Sequence, residues 1–374
     1  MCREGAADDA PDAARLMVGL HSSDPATVYL AIWARVPGVG VADVEQALYE
    51  DRSMVRLLGM RRTLWVVPTG FAPLVNSSST LGLRDREKAK AVEVIGSSGV
   101  PDAEEWIERV SALTFDAIKE MGQPLARDLT KRIPELREKI TYRNKQGRVL
   151  GTVGMSTRIL FLLSAHGLIV RARPAGSWIS SQYRWSATER WLGSPLEEQP
   201  PEKARAEVVR AWLERFGPAT VTDVKWWTGW PMGQVRNALR AVDAVEVQLE
   251  GDQGFVLPED LEEVARPSSW VALLPSLDPT TMGWKQRTWY LDDDYERLFD
   301  RFGNAGPTVW VNGRIVGGWA QAKSGEVRYE LFEDVGAEAA AAVESSANRL
   351  REWLGDVVVT PRFRSFHERE LAGR

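Results

Sequence analysis

The sequence is poor in the residues that build covalent or metal frameworks. Its 374 residues include one cysteine, Cys2, and three histidines, His21, His166 and His367. A single thiol excludes a disulfide scaffold and a cysteine-based zinc site, and it suits a reducing cytoplasm. Because the histidines are widely spaced along the chain, we predict neither a metal site nor a cofactor.

Long apolar runs and a basic leader are also missing. No uninterrupted apolar stretch approaches the roughly 18 residues that a membrane span needs. Residues 1–14 are acidic where a signal peptide is basic. We therefore expect a soluble, cytoplasmic protein with no membrane partner. The length suits two or three domains, and 44% hydrophobic with 26% charged residues is an ordinary globular composition.

Charge of one sign is not in large excess over the whole chain, which has a net charge of −5. From Gln123 to Ser186, however, 12 lysines and arginines face three acids, a local balance of +9 that leaves −14 for the rest. This asymmetry favours a polyanion-facing surface on an acidic body. The alternative is a solvated basic face with no partner. The 16 tryptophans are expected to be mostly structural.

A pattern of three helices followed by strands occurs three times, which is typical of winged helices. In the first copy, Ser23 or Asp24 caps a helix that begins near Pro25. Further helices are predicted near 41–49 and 53–58, and a strand at 63–67. The second copy has helices at 106–121, 127–133 and 156–166 and a basic wing between strands 168–173 and 182–185. The third has helices at 202–216, 221–228 and 231–241 and a hairpin of strands 245–249 and 254–257.

The region after Trp270 changes to strands and turns. Asn312-Gly313 is a strong hairpin signal, residues 337–354 are predicted to form a packing helix, and 357–359 a closing strand. The predicted fold class is α+β, with three tandem winged-helix (helix-turn-helix) motifs and a β-rich C-terminal subdomain. The predicted domains are 1–100, 101–195, 196–266 and 267–374.

Winged helices bind DNA by placing their third helix in a major groove and holding phosphates with arginine and lysine. They also serve as protein-interaction modules, and the third copy is only mildly charged on its predicted recognition helix, with Arg236 and Arg240. We favour DNA over a protein as the binding partner and keep both hypotheses.

Five separated runs carry a family resemblance. They are LHSSDPATVYLAIWAR, DVEQALYEDRSMVRLLGMRRTLWVVP, FGPATVTDVKWWTG, LLPSLDPTTMGWKQRTWYL and GNAGPTVWVNGRIVGGWAQ. In order and spacing they resemble the bacterial tandem winged-helix DNA glycosylases of the AlkZ/YcaQ type. The resemblance runs from about residue 14 to residue 363. It implies a C-shaped arrangement of the three winged helices around DNA, a β-barrel-like C-terminal subdomain, and hydrolysis of the N-glycosidic bond of alkylated purines, including bulky adducts and interstrand crosslinks.

The family's catalytic signature is Gln-x-Gln or Gln-x-Asp within a phrase like Gly-Leu-Gln-x-Gln-Asp-Pro. The matching positions here are His21 and Ser23, and neither is glutamine. A cationic alkylpurine needs little leaving-group activation, so a positioned water can suffice. A neutral His21 imidazole can hold that water, and its ordinary pKa near 6.5 suits a general base. The alternative for His21 is a structural histidine at a helix end.

Ser23 and Asp24 are weaker catalytic candidates. The Ser23 hydroxyl can orient water or bind phosphate, but it lacks the paired donor and acceptor of an amide. Asp24 can add charge unless its carboxylate caps the next helix. For both residues, capping is the structural alternative.

The candidate DNA contacts are basic residues in three places. They are Arg61 and Arg62 before the 63–67 strand, Arg171, Arg173 and Arg184 around the second wing, and Lys285 and Arg287 in the GWKQRTW phrase. For the first pair, a solvated strand end is an equal alternative. The wing arginines are better candidates because no acid lies among them in sequence. Trp226 and Trp227 are expected to be core residues rather than base-stacking platforms.

Three hypotheses follow. The first is a monofunctional DNA glycosylase for alkylated purines, monomeric, bound to duplex DNA and associated with the nucleoid. The second is a catalytically degenerate tandem winged-helix DNA-binding protein, a regulator or damage sensor. The third is a protein-interaction scaffold without DNA affinity. A steep salt dependence of DNA binding separates the first two from the third.

Overall fold

A computed structural model describes residues 6–143, 146–262 and 264–373. The chain is 47% helical and 18% strand, which confirms the mixture of helix and sheet. No helix within the described ranges combines the length and apolar character needed to cross a bilayer. In the same ranges, no group of three or more histidine, cysteine or acidic side chains is placed to hold a metal ion.

The first unit, residues 6–80, surrounds a three-stranded sheet. Its elements are α1 (Ala10–Leu16), β1 (Leu20–His21), α2 (Pro25–Trp33), α3 (Val41–Glu45), β2 (Met54–Leu58), β3 (Leu64–Pro68) and α4 (Ala72–Val75). Strand β3 lies in the middle and pairs antiparallel with both β1 and β2. The predicted cap is confirmed, because the Asp24 carboxylate accepts a hydrogen bond from Ala26 N at 3.1 Å.

The predicted helix at 53–58 is wrong. These residues form β2, in which all five positions are buried. A short apolar run fits a strand buried on both faces as well as a helix, and pairing with β3 decides the outcome here.

The second unit, residues 84–192, has a core of its own. Its elements are α5 (Arg84–Ser97), α6 (Ala103–Met121), α7 (Ala126–Arg132), β4 (Lys139–Arg143), β5 (Val149–Gly154), α8 (Met155–Ala165), β6 (Ile169–Pro174), β7 (Tyr183–Ala187) and α9 (Thr188–Leu192). The three predicted helices and the two predicted strands at 168–173 and 182–185 are confirmed. Helix α5 and the β4–β5 hairpin were not predicted. Ala91 and Ile95 of α5 share one apolar cluster with Ile107, Ile159 and Trp185.

The third unit, residues 201–256, follows the sequence prediction closely. Its elements are α10 (Pro201–Phe216), α11 (Val221–Thr228), α12 (Met232–Ala241), β8 (Val245–Leu249) and β9 (Asp252–Val256). Thr220 and Asp223 form a reciprocal capping box at the start of α11. Gly229, at φ 74°, ends that helix in the left-handed conformation.

The C-terminal unit, residues 271–371, is an open antiparallel sheet covered by a helix. Its elements are β10 (Val271–Leu274), β11 (Thr308–Val311), β12 (Arg314–Gln321), β13 (Val327–Leu331), α13 (Ala337–Leu354) and α14 (Phe366–Leu371). Asn312 and Gly313 both have positive φ, 49° and 89°, which confirms the predicted hairpin. Residues 357–359 form no strand: Val359 N donates instead to Gln321 Oε1 at 2.7 Å.

The expected barrel-like closure of this unit is corrected to an open sheet. The strand order is β10-β11-β12-β13, and no closed barrel is found in the described part of the chain. Four short strands are too few to enclose a filled interior, and α13 packs against both β10 and β13 instead.

The C-terminal unit returns to the first unit through buried polar contacts. Arg35 and Asp278 form a bidentate ion pair with N–O distances of 2.7 and 2.8 Å. The Thr27 hydroxyl donates to Ser276 O at 2.7 Å, and Arg362 N donates to Asp24 Oδ2 at 2.8 Å. These bonds fix the segment that contains the predicted catalytic residues against the C-terminal unit.

Candidate functional site

The segment from Gly19 to Asp24 runs along the edge of the first unit's sheet. Gly19 has φ 108°, and a Cβ there would lie 2.9 Å from Val67 Cγ1, so the close approach to β3 requires glycine. His21 pairs with Trp65 across the strands, and their rings meet edge to face at 5.4 Å. The sheet register therefore determines where His21 lies.

His21 is buried, with 7% of its surface exposed. Burial, and then the charge of Arg61, lowers its pKa to about 3. The expected value near 6.5 is therefore corrected, because a cation in this apolar place loses its hydration. In the described structure Nδ1 is buried without a hydrogen-bond partner. At neutral pH His21 is a neutral imidazole, able to hold a water but poorly matched to a general base.

Ser22 leads to a buried arginine that the sequence did not single out. Arg56, on β2, is 2% exposed, and its Nε donates to the Ser22 hydroxyl at 2.7 Å. Its Nη1 donates to Tyr49 at 3.0 Å, and the guanidinium lies 4.6 Å from the ring centroid of Tyr183. Hydroxyls and an aromatic ring thus surround this cation behind the 19–24 segment.

Ser23 and Asp24 differ in what they face. Ser23 is half-buried and lines a cleft between the first and second units. Asp24 is buried, and its two oxygens accept hydrogen bonds from Ala26 N and Arg362 N. Burial raises the pKa of the Asp24 carboxyl, and these two bonds oppose the shift. Its capping interaction is thus present, and the carboxylate holds the segment in place.

The cleft beside Ser23 has a volume of about 530 Å³. Arginines and hydroxyl groups supply much of its polar lining, and aromatic rings form part of the rest. Lining residues include Arg62, Arg127, Arg171, Ser156, Ser164, Phe161, Tyr183 and Trp185. Among the described residues, no aspartate or glutamate lines it. The cleft therefore favours an anionic or neutral ligand group over a cationic one.

The three wing arginines have different surroundings. Arg171 lies 5.3 Å from the Tyr183 ring and 5.0 Å from the Trp185 ring. Burial lowers the pKa of Arg171 to about 10, so it stays charged at neutral pH. Arg184 Nη1 donates to Gln123 O at 3.3 Å.

Arg173 is held by acids from another unit. Its two terminal nitrogens contact Glu45 at 2.6 Å and Glu50 at 2.9 Å. Arg173 has no acid near it in sequence, but the folded chain brings two glutamates to it. Local sequence could not show this, because the carboxylates come from more than 120 residues away.

A second basic cluster surrounds Trp226, which is half-buried. The guanidinium carbons of Arg61 and Arg287 lie 4.3 and 5.5 Å from its ring. Burial, and then the charge of Arg287, lowers the pKa of Arg61. Trp227 is buried at 1% exposure, as predicted for a core residue, whereas Trp226 is at the edge of the core.

The two remaining predicted DNA contacts, Arg62 and Lys285, differ in their surroundings. Arg62 Nη2 contacts the buried Glu87 at 2.8 Å. The Lys285 side chain is exposed, and its backbone N donates to Asp223 Oδ1 at 2.9 Å. Of the predicted contacts, Arg62 and Arg171 meet at the cleft, Arg61 and Arg287 meet at Trp226, and Arg173 is committed to an ion pair.

The buried neutral His21 makes stability depend on pH. The unfolded chain takes up a proton near pH 6.5 and the folded chain near pH 3, so stability falls as the pH drops from 6.5 towards 3. We expect His21→Gln to remove up to about 1 kcal/mol per pH unit of that slope. Urea unfolding at pH 7.5, 5.5 and 4.5 measures it. His166→Gln is the control for the half-buried histidine, and equal slopes in wild type and His21→Gln would contradict the burial of His21.

Comparison with known proteins places these features in a family. The family described as DNA glycosylase AlkZ-like matches residues 14–353. The "Interstrand DNA cross-link repair glycosylase" of Streptomyces sahachiroi is 29% identical over 128 residues, which span 32% of this chain and 34% of that protein. The solved structure of Streptomyces sahachiroi DNA glycosylase AlkZ has a similar fold, with a TM-score of 0.72 and 19% identity over 94% of this chain and 93% of that one. The protein belongs to the AlkZ-like DNA glycosylase family.

Proposed function

We propose that this protein is a monofunctional DNA glycosylase that hydrolyses the N-glycosidic bond of cationic alkylated purines, alkylated at N7 or N3, in duplex DNA. Family membership supports the reaction, and the similarity to the interstrand DNA cross-link repair glycosylase of Streptomyces sahachiroi supports bulky or crosslinked lesions. The observation that carries the proposal is the placement of Ser23 at an arginine-lined cleft, two residues from a neutral His21.

The chemistry requires little from the protein. A purine alkylated at N7 leaves as a neutral base with the electron pair of the C1′–N9 bond, and the sugar gains oxocarbenium character. Water then adds at C1′ and releases its extra proton to solvent. His21 is the last residue of β1, and Ser23 follows it in a bend two residues later, at the cleft. We assign His21 to hold the water through a ring nitrogen and Ser23 to orient it. The Asp24 carboxylate fixes the segment by accepting hydrogen bonds from the backbone N–H groups of Ala26 and Arg362. When ionised, it also adds negative charge near the developing cation.

We propose that the protein binds a duplex as a monomer. We propose that each of the three helix–hairpin regions within 1–100, 101–195 and 196–266 is a winged helix, with 267–374 completing the C-shape. The proposed phosphate contacts are Arg61, Arg62, Arg171, Arg184, Lys285 and Arg287. Arg173 supports the interface between units through Glu45 and Glu50 and contacts DNA only if those pairs exchange.

The test is base release from a defined duplex. The protein is incubated with a duplex carrying one N7-methylguanine, and abasic sites are then cleaved with alkali. We expect cleavage only after the alkali step, as a monofunctional enzyme leaves the strand intact. No release from N7-methylguanine or N3-methyladenine by protein that binds both duplexes would overturn the proposal.

That failure would favour the second candidate, a DNA-binding protein without catalysis. One observation favours it: both glutamines of the signature are replaced, by His21 and Ser23, and His21 is buried. Binding that weakens about 10³-fold or more between 50 and 200 mM salt is expected of either DNA-binding candidate. Binding to undamaged and alkylated duplex with equal affinity, without release, would identify the second.

A further inference from the structure

We propose that the cleft between the first and second units binds one phosphate group of the DNA backbone, the phosphodiester adjoining the nucleotide that faces Ser23. This inference rests on the proposed function and assigns one site within it. The residues that define the phosphate site are Arg171, Arg127 and Tyr183.

The first argument is uncompensated positive charge. Arg127 and Arg171 line the cleft, and among the described residues neither pairs with a carboxylate: Arg127 is exposed, and Arg171 lies against the rings of Tyr183 and Trp185. Arg62 adds a third guanidinium at the rim, shared with Glu87. Arg56 lies behind the cleft and contacts hydroxyls rather than a carboxylate. Guanidinium groups that share one cleft without carboxylates of their own, as Arg127 and Arg171 do, are stable only where water or an anion offsets their repulsion.

The second argument is a pair of polar atoms without partners. Tyr183 is 5% exposed, and its hydroxyl is buried with no hydrogen-bond partner among the described residues. In the same described set, Arg171 Nε is also buried and unpartnered. Both side chains line the cleft. Buried polar groups are nearly always satisfied, so two unpartnered polar atoms on side chains that line one cleft indicate a ligand that accepts hydrogen bonds.

The third argument decides between a phosphate and the lesion base. A cationic alkylpurine would meet the guanidiniums of Arg62, Arg127 and Arg171 and be repelled. A phosphodiester carries negative charge, accepts only, and fits the fork of an arginine. Ser156 and Thr157 lie in the first turn of α8, whose positive end adds a further preference for an anion.

The assignment explains how the sugar is placed. A phosphate held by Arg171 and Tyr183 brings the adjoining deoxyribose to Ser23, while the cationic base stays outside the arginine-lined space. These residues are positioning residues, because they do not contact the bond that breaks. Their loss should weaken binding at one phosphate rather than change the pH profile of release.

A methylphosphonate scan tests the site directly. Single uncharged methylphosphonates replace successive phosphates in a duplex carrying one lesion, and binding is measured by fluorescence anisotropy. For wild type we expect a loss of about tenfold at one position beside the lesion. Arg171→Gln should bind the lesion-bearing duplex without methylphosphonate about tenfold more weakly than wild type does. A methylphosphonate at the sensitive position should then weaken its binding no further.

Two more variants keep the test interpretable. Tyr183→Phe removes only a hydroxyl without a partner in the described structure, so it should fold normally and still lose part of the same phosphate effect. Lys323→Gln removes an exposed charge on the β12–β13 turn and should behave as wild type. If Arg171→Gln and Tyr183→Phe respond to the scan as wild type does, the inference is wrong.

Inorganic phosphate is a separate probe of the same chemistry. At matched ionic strength, phosphate should raise the melting temperature of wild type and Lys323→Gln more than that of Arg171→Gln. Equal rises would overturn the site. A phosphate effect on the melting temperature, without a sensitive position beside the lesion in the scan, would assign the cleft to free phosphate and overturn the backbone assignment. Base release is assayed apart, so a bound phosphate without release would contradict the proposed function and leave this inference standing.

Discussion

Replacing His21 by alanine is expected to slow the release of N7-methylguanine about 10²-fold while changing duplex affinity by no more than about twofold. The reason is that the imidazole holds the attacking water and contacts no phosphate in the proposed arrangement. Single-turnover release and anisotropy on the same duplex separate the two effects. A loss of affinity that equals the loss of rate would contradict this role.

His21→Gln and the pH profile refine that prediction. Glutamine restores the residue type of the family signature and offers an amide to the water, so we expect it to retain most of the activity. Because burial lowers the pKa of His21 to about 3, the imidazole does not ionise between pH 5.5 and 8. Wild-type release should therefore be flat over that range, and an inflection near pH 6.5 that disappears in His21→Gln would contradict the buried neutral imidazole.

Replacing Asp278 by alanine is expected to lower the free energy of unfolding by about 3–5 kcal/mol. Asp278 is fully buried and forms a bidentate pair with Arg35, whose side chain is 3% exposed. Its Oδ1 also accepts from Thr280 N at 2.9 Å. Removing the carboxylate leaves a buried guanidinium without a counter-charge at the contact between the first and C-terminal units. Urea unfolding measures the difference.

An exposed ion pair of the same unit is the matched control. Arg314 and Asp292 are 2.6 Å apart, with side chains 46% and 49% exposed. Water screens such a pair, so Asp292→Ala should cost no more than about 1 kcal/mol. If Asp278→Ala costs as little as Asp292→Ala, the buried pair does not join the two units as described.

The parts of the fold that sequence predicted are those fixed by local chemistry. Asp24 caps α2, and Asn312-Gly313 forms the hairpin that such pairs favour, because both signals act within a few residues. Strand β2 was missed because its buried apolar run reads as helix or strand equally, and only pairing with β3 resolves it. Helix α5 was missed because its apolar positions are few and become a buried stripe only against α6 and α8.

The candidate site shows the same division. The family-like phrase located the segment that contains His21 and Ser23, and in the structure Ser23 lines a cleft. What sequence could not supply was the environment: burial, and then the charge of Arg61, lowers the pKa of His21, and the Trp65 ring packs against it from the neighbouring strand. Tyr183 and Arg56 had no sequence signal, since a tyrosine hydroxyl or a strand arginine becomes notable only once its partners are known.

The most direct measurement compares two duplexes that differ in the charge of one base. One carries N7-methylguanine and the other its uncharged 7-deaza-7-methyl analogue, and release is followed under single-turnover conditions at saturating protein. The proposed mechanism predicts release from the cationic base only, with both duplexes bound to a similar extent. Binding of both without release from either would contradict it and identify a DNA-binding protein without glycosylase activity.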